Sequence, residues 1–128
     1  MGGDSGPEVN VKGAEQAIAE ADNLHVILVG REEELRPLVT LKPSDGLRIV
    51  HAPDVIEMGD SPTKAVRNRE NSITRGLELI WDGEGEGFVS MGNTGAVVAA
   101  SLINLGRIEG ILRPALMTLF RTGKKYPT

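Results

Sequence analysis

Short apolar runs alternate along this chain with longer stretches in which apolar residues recur every three or four positions. After Pro7, which fits the first turn of a helix, Val9, Val11, Ala14, Ala17, Ile18 and Ala21 supply an apolar face at roughly helical spacing. Asp22-Asn23 is a stop. Val26-Ile27-Leu28-Val29 is a continuous apolar run, the pattern of a strand buried on both faces, and Gly30 ends it. Residues 31–39 predict a helix. Glu32, Glu33 and Glu34 lie in its first turn, where the helix dipole favours them, and Pro37 ends or bends it. A loop, Lys42-Pro43-Ser44-Asp45-Gly46, leads to a second strand, Leu47-Arg48-Ile49-Val50. Residues 55–60 have no clear period. Ser61 is the expected cap and Pro62 the first residue of a helix reaching Arg69. Asn71 or Ser72 caps the next helix, where Ile73, Leu77, Ile80 and Trp81 share one face, and Asp82-Gly83 closes it. Phe88-Val89 predicts a third strand. An Ala-rich helix over 96–105 follows, closed by Gly106. Ala115-Leu116-Met117-Thr118-Leu119 predicts a fourth strand, and the basic tail 121–128 is expected to fray.

Strands alternating with helices imply an α/β fold, a three-layer α/β/α arrangement with a mostly parallel sheet and right-handed crossovers. Such a pattern normally begins on a strand. This chain opens on the glycine-rich loop Met1-Gly2-Gly3-Asp4-Ser5-Gly6-Pro7 and stops just after a strand. The expectation is one incomplete domain over 1–128, lacking its first strand and its carboxyl-terminal half.

Composition narrows the chemistry. Of the 128 residues, 40% are hydrophobic but only 3% aromatic, so the core must be aliphatic. Sixteen glycines fall largely at element ends, which suits many short turns. A net charge of −4 argues against a general nucleic-acid binder. With no cysteine there is no disulfide frame, thiolate metal site or cysteine nucleophile, and two histidines make a zinc site an unpromising reading. No metal or cofactor is expected. No apolar run approaches a membrane span and no signal peptide is visible, so a cytoplasmic protein is the default.

The chemistry concentrates at Ser90-Met91-Gly92-Asn93-Thr94-Gly95-Ala96, read as strand, tight turn and helix. Gly92 and Gly95 leave no Cβ in a ligand's way, and Asn93 or Thr94 can cap the helix. The first backbone N–H groups of that helix are then available to a phosphate or another oxyanion. A lone G-x-x-G turn is more often a capped junction with no ligand, so the rest of the chain has to raise the odds. In a parallel α/β sheet ligands bind beyond the carboxyl ends of strands. His51-Ala52-Pro53-Asp54 holds such a place, and so by position do Gly2, Gly3 and Asp4 if a strand precedes them. Lys64, Arg67 and Arg69 could add positive charge, although on the residues alone a solvated helix face is the favoured reading. Gly83-Glu84-Gly85-Glu86-Gly87 imitates a dinucleotide fingerprint but follows a helix, the wrong context for a phosphate loop.

At these residues the chain resembles the phosphate acyltransferase (PlsX) family of bacterial phospholipid synthesis. Met1-Gly2-Gly3-Asp4-Ser5-Gly6-Pro7 is similar to the family's opening loop. His51-Ala52-Pro53-Asp54-Val55-Ile56-Glu57-Met58, with Asp60-Ser61-Pro62, is similar to its next signature, and Ser90-Met91-Gly92-Asn93-Thr94-Gly95-Ala96 to its S-x-G-N-T-G-A loop. Gly106-Arg107-Ile108-Glu109-Gly110 and Arg113-Pro114-Ala115 continue the resemblance in order. The chain departs from the family at Arg67-Asn68-Arg69-Glu70-Asn71-Ser72-Ile73. Glu70 stands where a basic residue is common and Asn71 where a serine is, which counts against anion binding at this helix. Family members are more than twice as long, so the resemblance is to their amino-terminal part.

The resemblance implies transfer of a fatty acyl group from acyl carrier protein to inorganic phosphate, giving acyl phosphate. It gives Gly92, Asn93, Thr94 and Gly95 the phosphate or oxyanion role, through backbone N–H groups and the Asn93 amide. Gly2, Gly3 and Asp4 would line the same cleft, Lys64, Arg67 and Arg69 would supply charge to phosphate or to the acidic carrier, and His51 would orient or accept a proton. Asn93 and His51 are thus the candidate catalytic residues. The partners it implies are acyl carrier protein and phosphate, with a homodimer and peripheral membrane contact through segments beyond Thr128, and no nucleic acid. Two rivals stand beside it: an inactive fragment or phosphate- or partner-binding module, and an α/β enzyme of the phosphotransacetylase or hydroxy-acid dehydrogenase kind.

Overall fold

The structure, a computed structural model, describes residues 3–117. Its elements run α1 (Gly6–Glu20), β1 (Val26–Gly30), α2 (Glu32–Leu35), β2 (Leu47–His51), α3 (Pro62–Arg67), α4 (Ser72–Trp81) and α5 (Thr94–Asn104). β1 and β2 pair in parallel, Val26 opposite Leu47 through Gly30 opposite His51. Helices thus accompany a two-stranded parallel sheet, a partial α/β fold.

Helix ends follow the local chemistry. Pro7 sits in the first turn of α1. The helix expected over 31–39 is broken at Pro37: α2 gives way to a single 3-10 turn, Arg36–Leu38, because proline has no N–H to continue the ladder. α4 ends in a Schellman motif. Gly83 takes φ of +76°, its N–H reaches the Ile80 carbonyl, and the Glu84 N–H reaches that of Leu79. The glycine-rich run after α4 is therefore a helix stop. Gly106, with φ of +78°, follows α5 in the left-handed region too.

The main core lies between α3, α4 and α5. Ile56, Ala65, Ile73, Leu77, Ala96 and Ala100 are buried together, with Phe88, Val97 and Leu105 packed against them. Small residues on α3 and α5 let those two helices approach closely. Two apolar faces are narrower than the spacing predicts. Val9 is exposed while Val11 is buried, since residues two apart point to opposite sides of a helix. Trp81, the last residue of α4, is 70% exposed.

The strands depart most from expectation. β1 is half-buried along Val26–Val29 rather than covered on both faces. Phe88-Val89 forms no strand: among the described residues no segment pairs with it, and Val89 is 85% exposed. The Phe88 ring rests instead on α4, where Gly76 leaves room; a Cβ there would lie 2.4 Å from Phe88 Cε2. Residues 115–117 likewise lack a ladder partner among the described residues, and the rest of the predicted fourth strand, with the tail at 121–128, lies outside them. Among the described residues no helix is long and apolar enough to cross a membrane.

Candidate functional site

α5 begins at the loop singled out above. Asn93 has extended backbone angles and is the N-cap; its Oδ1 accepts the Ala96 N–H at 3.0 Å, and its carbonyl takes the Val97 N–H. Ser90 Oγ accepts the Gly92 N–H at 3.2 Å. The N–H groups of Thr94 and Gly95 find no acceptor among the described residues, and both residues are exposed. This leaves two parallel donors at the positive end of the helix.

The opening loop comes to the same place. Gly3 has φ of +86°, and a Cβ on it would sit 3.1 Å from both the Cβ and the carbonyl oxygen of Met91. Backbone meets backbone there, which only glycine permits at this φ. Asp4 is exposed beside it, and Gly2 lies outside the described residues. On the far side of the turn Thr94, Gly95, Val98 and Ala99 form one wall of an apolar groove of about 440 Å³, and Pro114, Ala115 and Leu116 the other.

The Asn93 amide does not point into this space. Its Nδ2 faces the carbonyl oxygens of Asp60 (2.9 Å), Met58 (3.1 Å) and Glu57 (3.3 Å). Asp60 braces that turn from within, its Oδ2 accepting the Glu57 N–H at 2.8 Å and Lys64 Nζ at 2.6 Å. The hydrogen bond from Lys64, then that from the Glu57 backbone, hold the Asp60 carboxyl below the usual carboxylate range. Ser61 precedes α3 as expected, but its hydroxyl bonds Thr63 Oγ1 rather than the helix backbone. A Cβ on Gly95 would stand 2.9 Å from Pro62 Cγ, so this glycine is also needed for α3 and α5 to touch.

The three basic residues do not act as one cluster. Lys64 is paired with Asp60, and Arg69 with Glu78 at 2.8 Å. Arg67 is exposed at the end of α3 with no ion pair among the described residues. His51 is held apart as well. Its Nδ1 accepts the Glu32 N–H at 3.2 Å, so it caps α2, with Glu33 Oε2 3.8 Å away. Arg31 ties the end of β1 to the loop after β2 through the Pro53 carbonyl at 2.8 Å. Asp54 accepts from Asn68 Nδ2 at 2.5 Å and bridges to Asn71. The bracing by Asn93 escapes sequence reasoning because its acceptors are backbone carbonyls, and that by Asp60 because one of its donors is a backbone N–H. Among the described residues no group of three or more His, Asp or Glu side chains is arranged to hold a metal ion.

Residues 1–127 match the family model described as "Fatty acid synthesis protein". A phosphate acyltransferase of Pelotomaculum thermopropionicum is 52% identical over 118 residues, covering 91% of this chain and 34% of that protein. One from Dictyoglomus thermophilum is 46% identical over 131 residues, covering 100% and 39%. One from Nitratiruptor sp. is 40% identical over 124 residues, covering 97% and 37%. The chain thus spans between 34% and 39% of the length of these relatives. With its matching loops in sequence order and the model covering nearly every residue, the chain belongs to the fatty acid synthesis protein family, alongside these phosphate acyltransferases.

Proposed function

We propose that residues 1–128 are the amino-terminal, phosphate-binding portion of an acyl-[acyl-carrier-protein]:phosphate acyltransferase. The observation that carries this reading is the meeting of Gly3 with Met91 beside the unpaired N–H groups of Thr94 and Gly95. Two glycine turns converge there on one set of oxyanion donors. The relatives' name supplies the reaction class, and the apolar groove along α5 supplies a surface suited to an acyl chain.

The chemistry asks little of side chains. A phosphate oxygen attacks the thioester carbonyl carbon, the carbonyl oxygen becomes an oxyanion, and the C–S bond breaks. The thiolate leaves with the carrier and takes a proton from water, and acyl phosphate remains. Phosphate is its own nucleophile, so the protein holds the two reactants in line and stabilises the developing charge. Donors on backbone N–H groups at a helix start suit that task, and the exposed guanidinium of Arg67 adds charge for phosphate or for an acidic carrier.

The test is thiol release from an acyl carrier protein thioester by the intact protein, with and without phosphate. The expected result is release that requires phosphate and is matched mole for mole by acyl phosphate trapped as hydroxamate. Release without phosphate would mean a hydrolase. Phosphate binding with no release would mean a binding module.

A further inference from the structure

Asn93 joins two elements that the backbone alone does not fasten. One end of its amide caps α5 and the other is surrounded by three carbonyls of the 57–60 turn. A primary amide has two N–H donors, so this environment uses both and leaves none for a ligand. A carboxylate would fit poorly, because it would set an unprotonated oxygen against the same carbonyls. Lys64 is likewise turned to Asp60, inside the brace. α3 starts directly after that turn, and its Pro62 touches Gly95. Whatever fixes the turn therefore fixes where the first residues of α5 lie.

We propose that Asn93 and Lys64 are positioning residues for acyl transfer to phosphate. Together with Asp60 they clasp the 57–60 turn to the first turn of α5, and so aim the Thr94 and Gly95 N–H groups. Neither side chain touches phosphate. This inference rests on the phosphate acyltransferase reading above.

The experiment measures kcat, the KM for phosphate, the KM for the carrier thioester and the melting temperature of the intact protein. Asn93→Ser keeps a capping oxygen but loses the two amide N–H donors, and its single short hydroxyl does not reach the three carbonyls of the turn from the capping position. It should raise the KM for phosphate roughly tenfold to a hundredfold, the scale of a displaced binding geometry, and leave the thioester KM unchanged. Asp60→Asn separates positioning from contact. Under the clasp it weakens the hold on Lys64 and raises the phosphate KM. If Lys64 met phosphate directly, removing its carboxylate partner would free it and lower that KM, which overturns the proposal. A lower melting temperature for Asn93→Ser with an unchanged phosphate KM also overturns it. Should Asn93→Ser not fold, the sign of the Asp60→Asn effect decides alone. A wild-type protein without phosphate-dependent release overturns the functional reading and this inference together; active wild type with unaltered variants overturns only the clasp.

Discussion

Asn71 has no surface left to water, and every polar atom of its side chain is used. Its Oδ1 accepts the Ile73 and Thr74 N–H groups, each at 3.0 Å, as the cap of α4. Its Nδ2 donates to the carbonyls of Ala65 and Asn68 and to Thr74 Oγ1, and Thr74 Oγ1 in turn donates to Ala65. One amide thus starts α4 and ties it to α3. Asn71→Ala should cost about 2–4 kcal/mol, a lost cap plus buried groups left unpaired. Asn71→Ser should cost less, because it keeps a capping oxygen. Urea unfolding of the three proteins checks this, and an alanine variant within about 0.5 kcal/mol of wild type would sink it. Asn71 and Asn93 were each legible as one of two candidate caps, beside Ser72 and Thr94, because short polar side chains stood before an apolar run. Their donor bonds were not legible, since a backbone carbonyl carries no mark in the sequence.

At the scale of elements, helix limits and the two strands that pair were readable, and the strand expected at Phe88-Val89 did not form. Proline at Pro7, Pro37 and Pro62 and glycine at Gly83 and Gly106 act through their own backbone, so their effects need no knowledge of the fold. A strand exists only with a partner, and the apolar Phe88-Val89 had none within the described residues. Its phenylalanine was drawn to the one place on α4 without a Cβ. That gives a test in which two effects oppose each other. Gly76→Ala raises helix propensity, by up to about 1 kcal/mol in α4. It also drives a methyl to 2.4 Å from the Phe88 ring, and such overpacking costs about 1–3 kcal/mol. The net expectation is loss of stability, with the 88–92 segment displaced from α4. A thermal shift upward would show that the ring moves aside freely. The convergence of Gly3 on Met91 belongs to this scale too: the two loops lie nearly ninety residues apart, and the rule that ligands bind at strand carboxyl ends, together with the family resemblance, pointed to one cleft.

For the whole molecule, the carboxylates decide how it responds to acid. Glu15 holds α1 to the loop before β2, accepting from the N–H groups of Thr40 (2.6 Å) and Leu41 (3.0 Å) and from the Thr40 hydroxyl (2.9 Å). Those backbone bonds, Thr40 first, lower its pKa from the ordinary value. Glu8 is lowered by its hydrogen bond and attraction to Lys12, Glu32 by those to Arg36, and Asp60 mainly by Lys64. A group whose pKa is depressed in the folded state binds fewer protons there than in the unfolded chain. Its stabilisation is complete above the ordinary carboxylate pKa of about 4 and is lost as pH falls through the folded value. Stability should therefore be flat above that range and decline below it. General repulsion acts in the same direction, because the fourteen Lys and Arg stay positive while the acids are neutralised. Glu15→Gln separates the two. It changes the charge of the chain by one unit at most, but it removes the titrating link between distant parts of the chain. Glu8, Glu32 and Asp60 each pair with a residue only four positions along the chain, so their loss loosens little at long range. Urea midpoints at neutral pH and at pH about 3 should thus differ less for Glu15→Gln than for wild type, with the gap closing from the neutral side. Equal slopes in the two proteins would mean that repulsion alone drives acid unfolding and that the Glu15 tie contributes nothing.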